Sequence, residues 1–345
     1  MRNILCVTLI ALLGGCTSTS VTEKYQDKRN DIINVKDKVI EFETGNVLIG
    51  SVSRLYMSNK CLLIADHKSV DKQIHIFNKN DFSYLTSIGN FGEGPEEITV
   101  MGCLAIDEAH HQLYVSDHAK QKIFSYDMDS VMVDSLYKPQ VKTAMNETLF
   151  PSEYQYINDT LSIAVLIKPT STSTFNQFLG RWNMNTGEMI PMKYTHPDIQ
   201  KKRITFAASE KAGIYVECYT RHDLMTICSL DGELLYNIYG PDWDGGNGNK
   251  LQSFGTVMIG NDKIFVSYCG EDYARDSFPT KILVFDLEGN YLKTLETGYK
   301  ISDCCYDSFN NRIILSLNDV VQFAYLDIDG IISVSYTHLT LPTIC

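Results

Sequence analysis

Gln112-Leu-Tyr-Val-Ser-Asp117 is one of six short runs in which apolar and β-branched residues predominate. This composition favours β-strands. The runs start at residues 61, 112, 160, 213, 263 and 312, so successive starts lie 48 to 53 residues apart. Self-similarity at such a period indicates one supersecondary unit repeated six times.

Each unit contains further strand signals. A second run follows the first, as in Ile123-Phe-Ser-Tyr-Asp127. Turns such as Asp231-Gly232 then reverse the chain into a third strand, for example Tyr291 to Leu295. Short apolar stretches between units, such as Gly102 to Ile106 and Thr256 to Ile259, are candidate innermost strands. Four strands per unit predict an all-β fold, a six-bladed β-propeller with four-stranded antiparallel blades.

Closure of the ring needs an outer strand for the last blade. Val39-Ile-Glu-Phe-Glu43 precedes the first unit and is the natural candidate. The sixth unit ends just after Gly330, so we expect its third strand to be damaged and the last blade to be incomplete. Residues 334–343 resemble the translation of a sequencing-library adapter, and we interpret 334–345 as a non-native tail, with a genuine β-rich end as the alternative. The propeller is therefore expected at residues 39–333.

The first residues have the layout of an export signal. Basic Arg2 precedes an apolar run from Ile4 to Leu13, which is too short to span a bilayer. Leu13-Gly14-Gly15-Cys16 resembles the lipobox of bacterial lipoproteins, which implies cleavage of residues 1–15 and lipidation of Cys16. Polar residues 16–38 predict a tether. The resemblance implies a bacterial envelope protein, anchored in the outer membrane and facing the periplasm. An ordinary cleaved signal remains the alternative.

Composition limits the possible classes of protein. The 345 residues are 44% hydrophobic, enough to bury a large core. A formal charge of -12 argues against nucleic acid as a partner, because binding it requires a basic surface. It equally disfavours a polyanionic sugar.

Seven of the 10 cysteines lie between the proposed lipidation site and the atypical tail. Cys218 and Cys228 are equidistant from Asp223, so a hairpin centred there would place them opposite each other. Most of the seven sit in apolar runs, where a thiol behaves as a small hydrophobe. We therefore prefer free, buried thiols. The seven are Cys61, Cys103, Cys218, Cys228, Cys269, Cys304 and Cys305.

A glycine-rich segment joins the first two units. Its residues Gly89, Gly92, Gly94 and Pro95 predict a tight connector in which glycine supplies positive φ. A phosphate-binding loop is disfavoured, because no P-loop lysine is present and acidic side chains surround the glycines. The segment through Glu96 resembles the G-x-x-G-x-G-P-x-E connector of TolB-like and NHL-like six-bladed propeller lipoproteins of Gram-negative gut anaerobes. That resemblance implies binding or scaffolding rather than a reaction.

Aspartates recur just after the strands of several units. Asp66-His67 and Asp117-His118 occupy equivalent places, and Asp272 follows a strand of the fifth unit. Metal binding or general-base chemistry is one interpretation. Because the Asp-His pairs repeat in register, we prefer a role for Asp66, Asp117 and Asp272 in capping turns through backbone N–H groups.

Four side chains are the candidate ligand contacts. Glu93, Glu96 and Asp117 are expected near a mouth of the central channel, and Trp243 lies in the oxygen-rich loop 242–249, where it could stack on a ligand. We interpret three other polar residues, Glu108, His110 and His111, as solvated turn residues.

These features lead to two functional hypotheses. The first is an anchored propeller that binds a protein, peptide or glycan partner. The alternative is a calcium-dependent hydrolase like the related lactonases and esterases, with Glu93, Glu96, Asp117 and Asn158 as the metal ligands to test. No nucleophile elbow, HExxH helix or CxxC zinc motif is present, so we assign no catalytic residue and no required cofactor.

Overall fold

The structure is a computed structural model that describes residues 22–134, 136–247 and 251–332. Cys16 and the atypical tail lie outside these residues. The described chain is mainly β-strand, with one short helix, α1 (Met128–Val133), and 3₁₀ turns at Lys36–Lys38 and Tyr273–Arg275. None of its helices has the length and apolar character needed to cross a bilayer.

The strands form six sheets arranged as the blades of a propeller. Three short strands precede the first blade: β1 (Glu23–Tyr25), β2 (Ile32–Asn34) and β3 (Val39–Glu41). Blade 1 contains β4 (Ser53–Met57), β5 (Cys61–Asp66), β6 (Lys72–Asn78) and β7 (Tyr84–Asn90). Blade 2 contains β8 (Met101–Asp107), β9 (Gln112–Asp117), β10 (Lys122–Asp127) and β11 (Gln140–Ala144). Blade 3 contains β12 (Phe150–Asn158), β13 (Leu161–Pro169), β14 (Phe175–Trp182) and β15 (Met189–Pro191). Blade 4 contains β16 (Ile204–Ser209), β17 (Ile214–Tyr219), β18 (Leu224–Ser229) and β19 (Leu234–Tyr239). Blade 5 contains β20 (Leu251–Gly260), β21 (Lys263–Asp272), β22 (Lys281–Asp286) and β23 (Tyr291–Glu296). Blade 6 contains β24 (Ile301–Asp307), β25 (Arg312–Leu317) and β26 (Phe323–Asp327).

The predicted fold and repeat are confirmed. Each of the six runs forms the second strand of a blade, and the stretches expected innermost form β8 and β20. Alternation along the strands explains why the units depend on one another, because successive side chains point to opposite faces of a sheet. In β5, Leu62 and Ile64 pack toward blade 6, whereas Leu63 and Ala65 pack toward blade 2. Every blade thus shares an apolar core with both neighbours.

The sixth blade is complete, contrary to the expectation of a damaged sheet. Its strands are β24, β25, β26 and the N-terminal strand β3, which pairs antiparallel with β26. Val39 lies opposite Leu326, as the sequence predicts for ring closure. The outer strand comes from the N-terminal segment, so the blade does not need a third strand after Gly330. Phe323 and Ile314 then pack against blade 1 and close the apolar ring.

Residues 22–38 also differ from the expected tether. Strand β1 adds in parallel to the outer edge of blade 4, and β2 adds in parallel to the outer edge of blade 5. Between them, the Arg29 guanidinium pairs at 2.8 Å with the buried carboxylate of Asp223. This strap, residues 22–38, is therefore part of the folded wheel. The polar composition of this strap did not predict an ordered structure, because backbone hydrogen bonds and one ion pair hold the strap in place and it has no continuous apolar face.

The cysteine pairing considered from the sequence does not form. Cys218 lies opposite Met225 and Cys228 lies opposite Tyr215, because the hairpin register is displaced from a centre at Asp223. The two thiols also belong to cores on opposite faces of blade 4. All seven cysteines within the described ranges are free and buried.

Candidate ligand site at a mouth of the central channel

The inner strands of all six blades surround a central channel with a cavity of about 370 Å³. Each inner strand follows an inter-blade connector and ends in a hairpin, so all six run in the same direction along the channel. We call the end where they begin the connector mouth; residues 91–100 lie there. The opposite end is the hairpin mouth, which includes residues 108–111.

Charged side chains meet inside this channel. Arg54 of blade 1 forms an ion pair of 2.8 Å with Glu153 of blade 3. Asp303 of blade 6 accepts hydrogen bonds from the Thr256 hydroxyl at 2.6 Å and the Leu55 N–H at 2.8 Å. The ion pair crosses the axis and is reached by water in the channel, since 46% of the Arg54 side chain is exposed.

The channel shifts the protonation of these groups. Burial raises the pKa of Asp303, although the Arg54 charge opposes the shift. For Arg54, burial lowers the pKa, but Glu153, Tyr56 and Asp303 together outweigh burial and raise it. Arg54 therefore stays protonated, and the channel contains one cation between two carboxyl groups.

A wider cavity of about 800 Å³ opens at the connector mouth. Its rim exposes the apolar side chains of Val52, Phe91, Val100 and Phe278. Leu48, Val70 and Val320 are exposed on connectors and loops at the same end. Apolar side chains also lie exposed elsewhere on the surface, but those of the rim surround a concave cavity, where a ligand can bury them.

The floor of this cavity is polar. Arg54 and Asp303 lie at its base, beside His67 and Gln73. Gln73 is 2% exposed, and its carbonyl oxygen Oε1 has no hydrogen-bond partner. Burial lowers the pKa of His67, so its imidazole is neutral at pH 7. The floor therefore combines a charged pair with neutral polar side chains, which can orient a polar group that enters the mouth.

The glycine-rich connector lies at this mouth and is held from below by Lys120. The Lys120 ammonium donates to the carbonyls of Gly92, Gly94 and Glu97 at 3.3, 2.6 and 2.5 Å. The Glu97 carboxylate accepts from the Gly94 N–H at 2.8 Å. A Cβ on Gly94 would lie 2.9 Å from Glu97 Oε2, so the carboxylate that accepts from the Gly94 N–H would have to move.

The other predicted connector residues have different surroundings. Gly89 has φ of +73°, as the prediction of positive φ requires, whereas Pro95 is exposed. Glu93 is exposed, and Glu96 forms a surface ion pair with Lys138 at 2.7 Å. Neither carboxylate is among the residues that line the channel-mouth cavity.

The aspartates predicted to cap turns accept backbone N–H groups. Asp117 accepts from Thr99 at 2.8 Å and from Ala119 at 3.0 Å, which joins its turn to the connector. Asp66 accepts from Lys68 at 2.9 Å, and Asp272 accepts from Ala274 at 2.9 Å.

The residues suggested as calcium ligands do not converge. Asn158 ends the inner strand of blade 3 at the hairpin mouth and accepts from the Thr160 N–H at 3.1 Å. Glu93, Glu96 and Asp117 lie at the connector end, and Asp117 already accepts several backbone N–H groups. One ion cannot contact both ends of the channel, so this ligand set is not assembled.

Trp243 lies apart from the channel, between blades 3 and 4. Its half-buried ring packs against Tyr239, His196 and His222, with centroids 5.0, 5.7 and 6.0 Å away. Burial lowers the pKa of both histidines, so the cluster is uncharged near pH 7. The indole therefore contributes mainly to packing under the loop 240–247.

Sequence reasoning did not identify Arg54, Glu153 and Asp303. Each is a charged residue inside an innermost strand that is otherwise mainly apolar or uncharged in character. A charge at such a position, where alternating side chains can face the channel, is the sequence feature that could have identified them. Contact between Arg54 and Glu153 depends on two strands almost 100 residues apart, which no local pattern reveals.

Comparisons with known proteins agree with this architecture. Residues 18–176 match the model of the DUF5128 family, a 6-bladed beta-propeller. A Bacteroides fragilis protein described as exported is 14% identical, with a TM-score of 0.55, and the alignment covers 85% of this chain and 87% of that one. A DUF4221 family member from Bacteroides vulgatus is 11% identical, with a TM-score of 0.55 and coverage of 87% and 98%.

The third solved structure is a luciferin-regenerating enzyme, 8% identical with a TM-score of 0.55 and coverage of 85% and 95%. No curated protein matches the chain significantly. At these identities a structural likeness shows the fold alone. Together with the six observed sheets, it establishes the chain as a six-bladed β-propeller.

Proposed function

We propose that this propeller is an envelope lipoprotein that binds a partner protein at its connector mouth, through a peptide segment that enters the cavity. The observation that carries the proposal is the cavity of about 800 Å³ with an apolar rim and a polar floor. Concave sites of this kind commonly combine apolar contact area with a few polar groups that fix orientation.

The chemistry of the rim favours a peptide over a glycan. The rim combines the aliphatic side chains of Val52 and Val100 with the aromatic rings of Phe91 and Phe278. Mixed aliphatic and aromatic contacts match the apolar side chains of a peptide, whereas a glycan would use the aromatic rings alone. The floor offers the Arg54 guanidinium and the Asp303 carboxyl group, which suit the carbonyl and N–H groups of a peptide backbone.

The proposed attachment rests on Leu13-Gly14-Gly15-Cys16, outside the described residues. A lipidated Cys16 would anchor the wheel in the outer membrane, facing the periplasm, because several acyl chains at one residue give durable attachment. Metabolic labelling with a fatty-acid analogue should mark the wild-type protein and leave Cys16→Ser unlabelled. Equal labelling of both would contradict the proposed site.

The hydrolase alternative has less support. A propeller enzyme of this kind would need oxygen ligands gathered on the axis, whereas the suggested set lies at both ends of the channel. The carboxyl groups on the axis, Glu153 and Asp303, face Arg54, whose positive charge opposes a second cation there.

Site-specific photo-crosslinking tests the binding site. A photoreactive phenylalanine analogue at Phe91 places the probe on the connector rim, where the side chain is 46% exposed. The matched control is Phe309 in the hairpin mouth, which is 78% exposed and therefore at least as accessible. We expect one reproducible crosslinked protein from Phe91 in intact cells and none at that mass from Phe309.

Two results would contradict the proposal. One is the absence of any crosslink from Phe91 and from a second probe at Phe278. The other is a crosslinked product of the same mass from both mouths, since this would reflect collision rather than a site. Crosslinks to polysaccharide alone would instead identify a glycan as the ligand.

A further inference from the structure

Two carboxylates and an imidazole from neighbouring blades converge at the hairpin mouth. Asp107 ends β8 of blade 2, His110 lies in the hairpin that follows, and Asp159 lies in the corresponding hairpin of blade 3. His110 Nδ1 is 2.8 Å from Asp107 Oδ2 and 3.9 Å from Asp159 Oδ1. The three potential ligand atoms all lie within 4.8 Å of one another.

The equivalent hairpin of blade 6 shows what this site lacks. Asp307 occupies the place of Asp107 and is likewise buried. It pairs with Arg312 at 3.2 Å and with Lys79 at 3.5 Å. In blade 2 the arginine position is Gln112, and the only ion-pair partner of Asp107 among the described residues is His110. The buried carboxylate of blade 2 therefore has no permanent cation, unlike its repeat equivalent.

Two tyrosines orient the carboxylates. The Tyr114 hydroxyl donates to Asp107 Oδ2 at 3.2 Å, and the Tyr156 hydroxyl donates to Asp159 Oδ1 at 2.7 Å. Hydrogen bonds of this kind hold metal ligands in position in many protein sites. Only Asp107 is buried; His110 and Asp159 have side chains that are 56% and 64% exposed, so an ion could enter from solvent.

We propose that Asp107, His110 and Asp159 form a binding site for a divalent transition-metal ion, with Zn²⁺ as the probe. One imidazole nitrogen and two carboxylate oxygens are a ligand set that Zn²⁺ accepts, with water in the remaining position. Ca²⁺ is disfavoured because it requires six or more oxygen ligands. The two negative charges balance the ion.

Protonation of His110 competes with the metal. Hydrogen bonding and the charges of Asp107 and Asp159 raise the pKa of His110, while Lys142 opposes this shift. The imidazole must release its proton before Nδ1 can bind Zn²⁺.

Calorimetric titration of the full-length protein, prepared without a histidine tag, tests the site. The wild-type protein should bind Zn²⁺ and give no detectable heat of binding with Ca²⁺ at this site. His110→Gln removes the imidazole nitrogen and Asp159→Asn removes one of the two negative charges, each from an exposed side chain, and both should weaken Zn²⁺ binding about tenfold or more. Circular dichroism checks that both variants remain folded.

His111→Gln is the matched control. His111 is the adjacent histidine of the same hairpin, and its Nδ1 faces Asp129 at 2.7 Å instead of the proposed site. This variant should retain wild-type affinity. Anomalous diffraction from a Zn²⁺-soaked crystal should place the ion about 2.0–2.2 Å from the three ligand atoms.

The proposal is overturned if wild type does not bind Zn²⁺, or if His110→Gln and Asp159→Asn bind it as tightly as His111→Gln does. An anomalous map that shows zinc only on other residues would also overturn it. Because the site lies at the mouth opposite the partner-binding cavity, these results are independent of the crosslinking experiment.

Discussion

Replacing Arg29 with methionine should destabilise the propeller far more than removal of an ordinary surface charge. The Arg29 side chain is 8% exposed, and Asp223, its partner at 2.8 Å, is fully buried. Arg29 also lies 5.4 Å from the ring centroid of Tyr268. The same Asp223 accepts from the Asp242 N–H at 3.2 Å, so the ion pair joins the strap to the connector after blade 4.

Removing one partner of a buried ion pair leaves the other charge desolvated, which costs about 3–5 kcal/mol. For a domain of about 300 residues, whose entropy of unfolding is roughly 0.6 kcal/mol/K, such a loss lowers Tm by about 5–8 °C. Lys28→Met is the matched control, because it removes the same charge one residue earlier from an exposed side chain. It should change stability by less than about 0.5 kcal/mol.

The pH dependence supplies a second measure. Burial raises the pKa of Asp223, and Arg29 opposes that shift. A carboxyl whose folded-state pKa exceeds its unfolded value binds protons more tightly in the folded protein, so the free energy of unfolding falls as pH rises through that range. Without Arg29 the pKa rises further. The deficit of Arg29→Met relative to wild type should therefore shrink from about pH 8 to about pH 5.

Urea unfolding followed by circular dichroism measures these free energies. Asp223→Asn keeps the shape of the side chain but removes its charge, so adding it to Arg29→Met should recover much of the loss in a double-mutant cycle. The reasoning is refuted if Arg29→Met and Lys28→Met cost the same, or if the cycle shows no coupling between Arg29 and Asp223.

Three further predictions concern the connector, the channel and the thiols. Lys120→Met should cost about 1–3 kcal/mol of stability and speed amide exchange in residues 91–98, because three carbonyls lose their shared donor. The exposed control Lys138→Met should change neither the stability nor the exchange rate, and equal exchange in the two variants would contradict the prediction. Gly260→Ala should cost about 1–3 kcal/mol in thermal unfolding, since its Cβ would lie 2.2 Å from the Tyr306 ring, and an unchanged Tm would refute the close contact. Burial raises the pKa of the seven described thiols, so alkylation mapped by mass spectrometry should reach them only after the protein unfolds. Rapid alkylation of any of them in the native protein would contradict this prediction. The seven are Cys61, Cys103, Cys218, Cys228, Cys269, Cys304 and Cys305.

The repeat itself was readable because it depends on short-range rules. Strand composition and alternation set which residues of β5 or β9 are apolar, and turn residues set where each strand ends. The spacing of these signals along the chain predicted six blades, and Val39 was correctly predicted to close the ring. A local pattern suffices for such features because each blade is formed by neighbouring segments.

The candidate sites could not be predicted in the same way. Glu93 and Asn158 looked like partners in one metal site, yet they lie at opposite ends of the channel. The grouping of Asp107 with Asp159 was missed because each residue alone has the appearance of an ordinary hairpin residue. Their approach depends on the angle at which two blades pack, and that angle comes from the whole apolar core.

The amino-acid sequence thus determined the strands, their order and the number of blades, since these follow from the alternation and spacing of residues along the chain. Tertiary structure alone decided that the strap pairs with blades 4 and 5, that Arg54 reaches Glu153 across the axis, and that the hairpins of blades 2 and 3 meet. These contacts join segments distant in the chain, and they form because closing the ring brings all six inner strands to one axis.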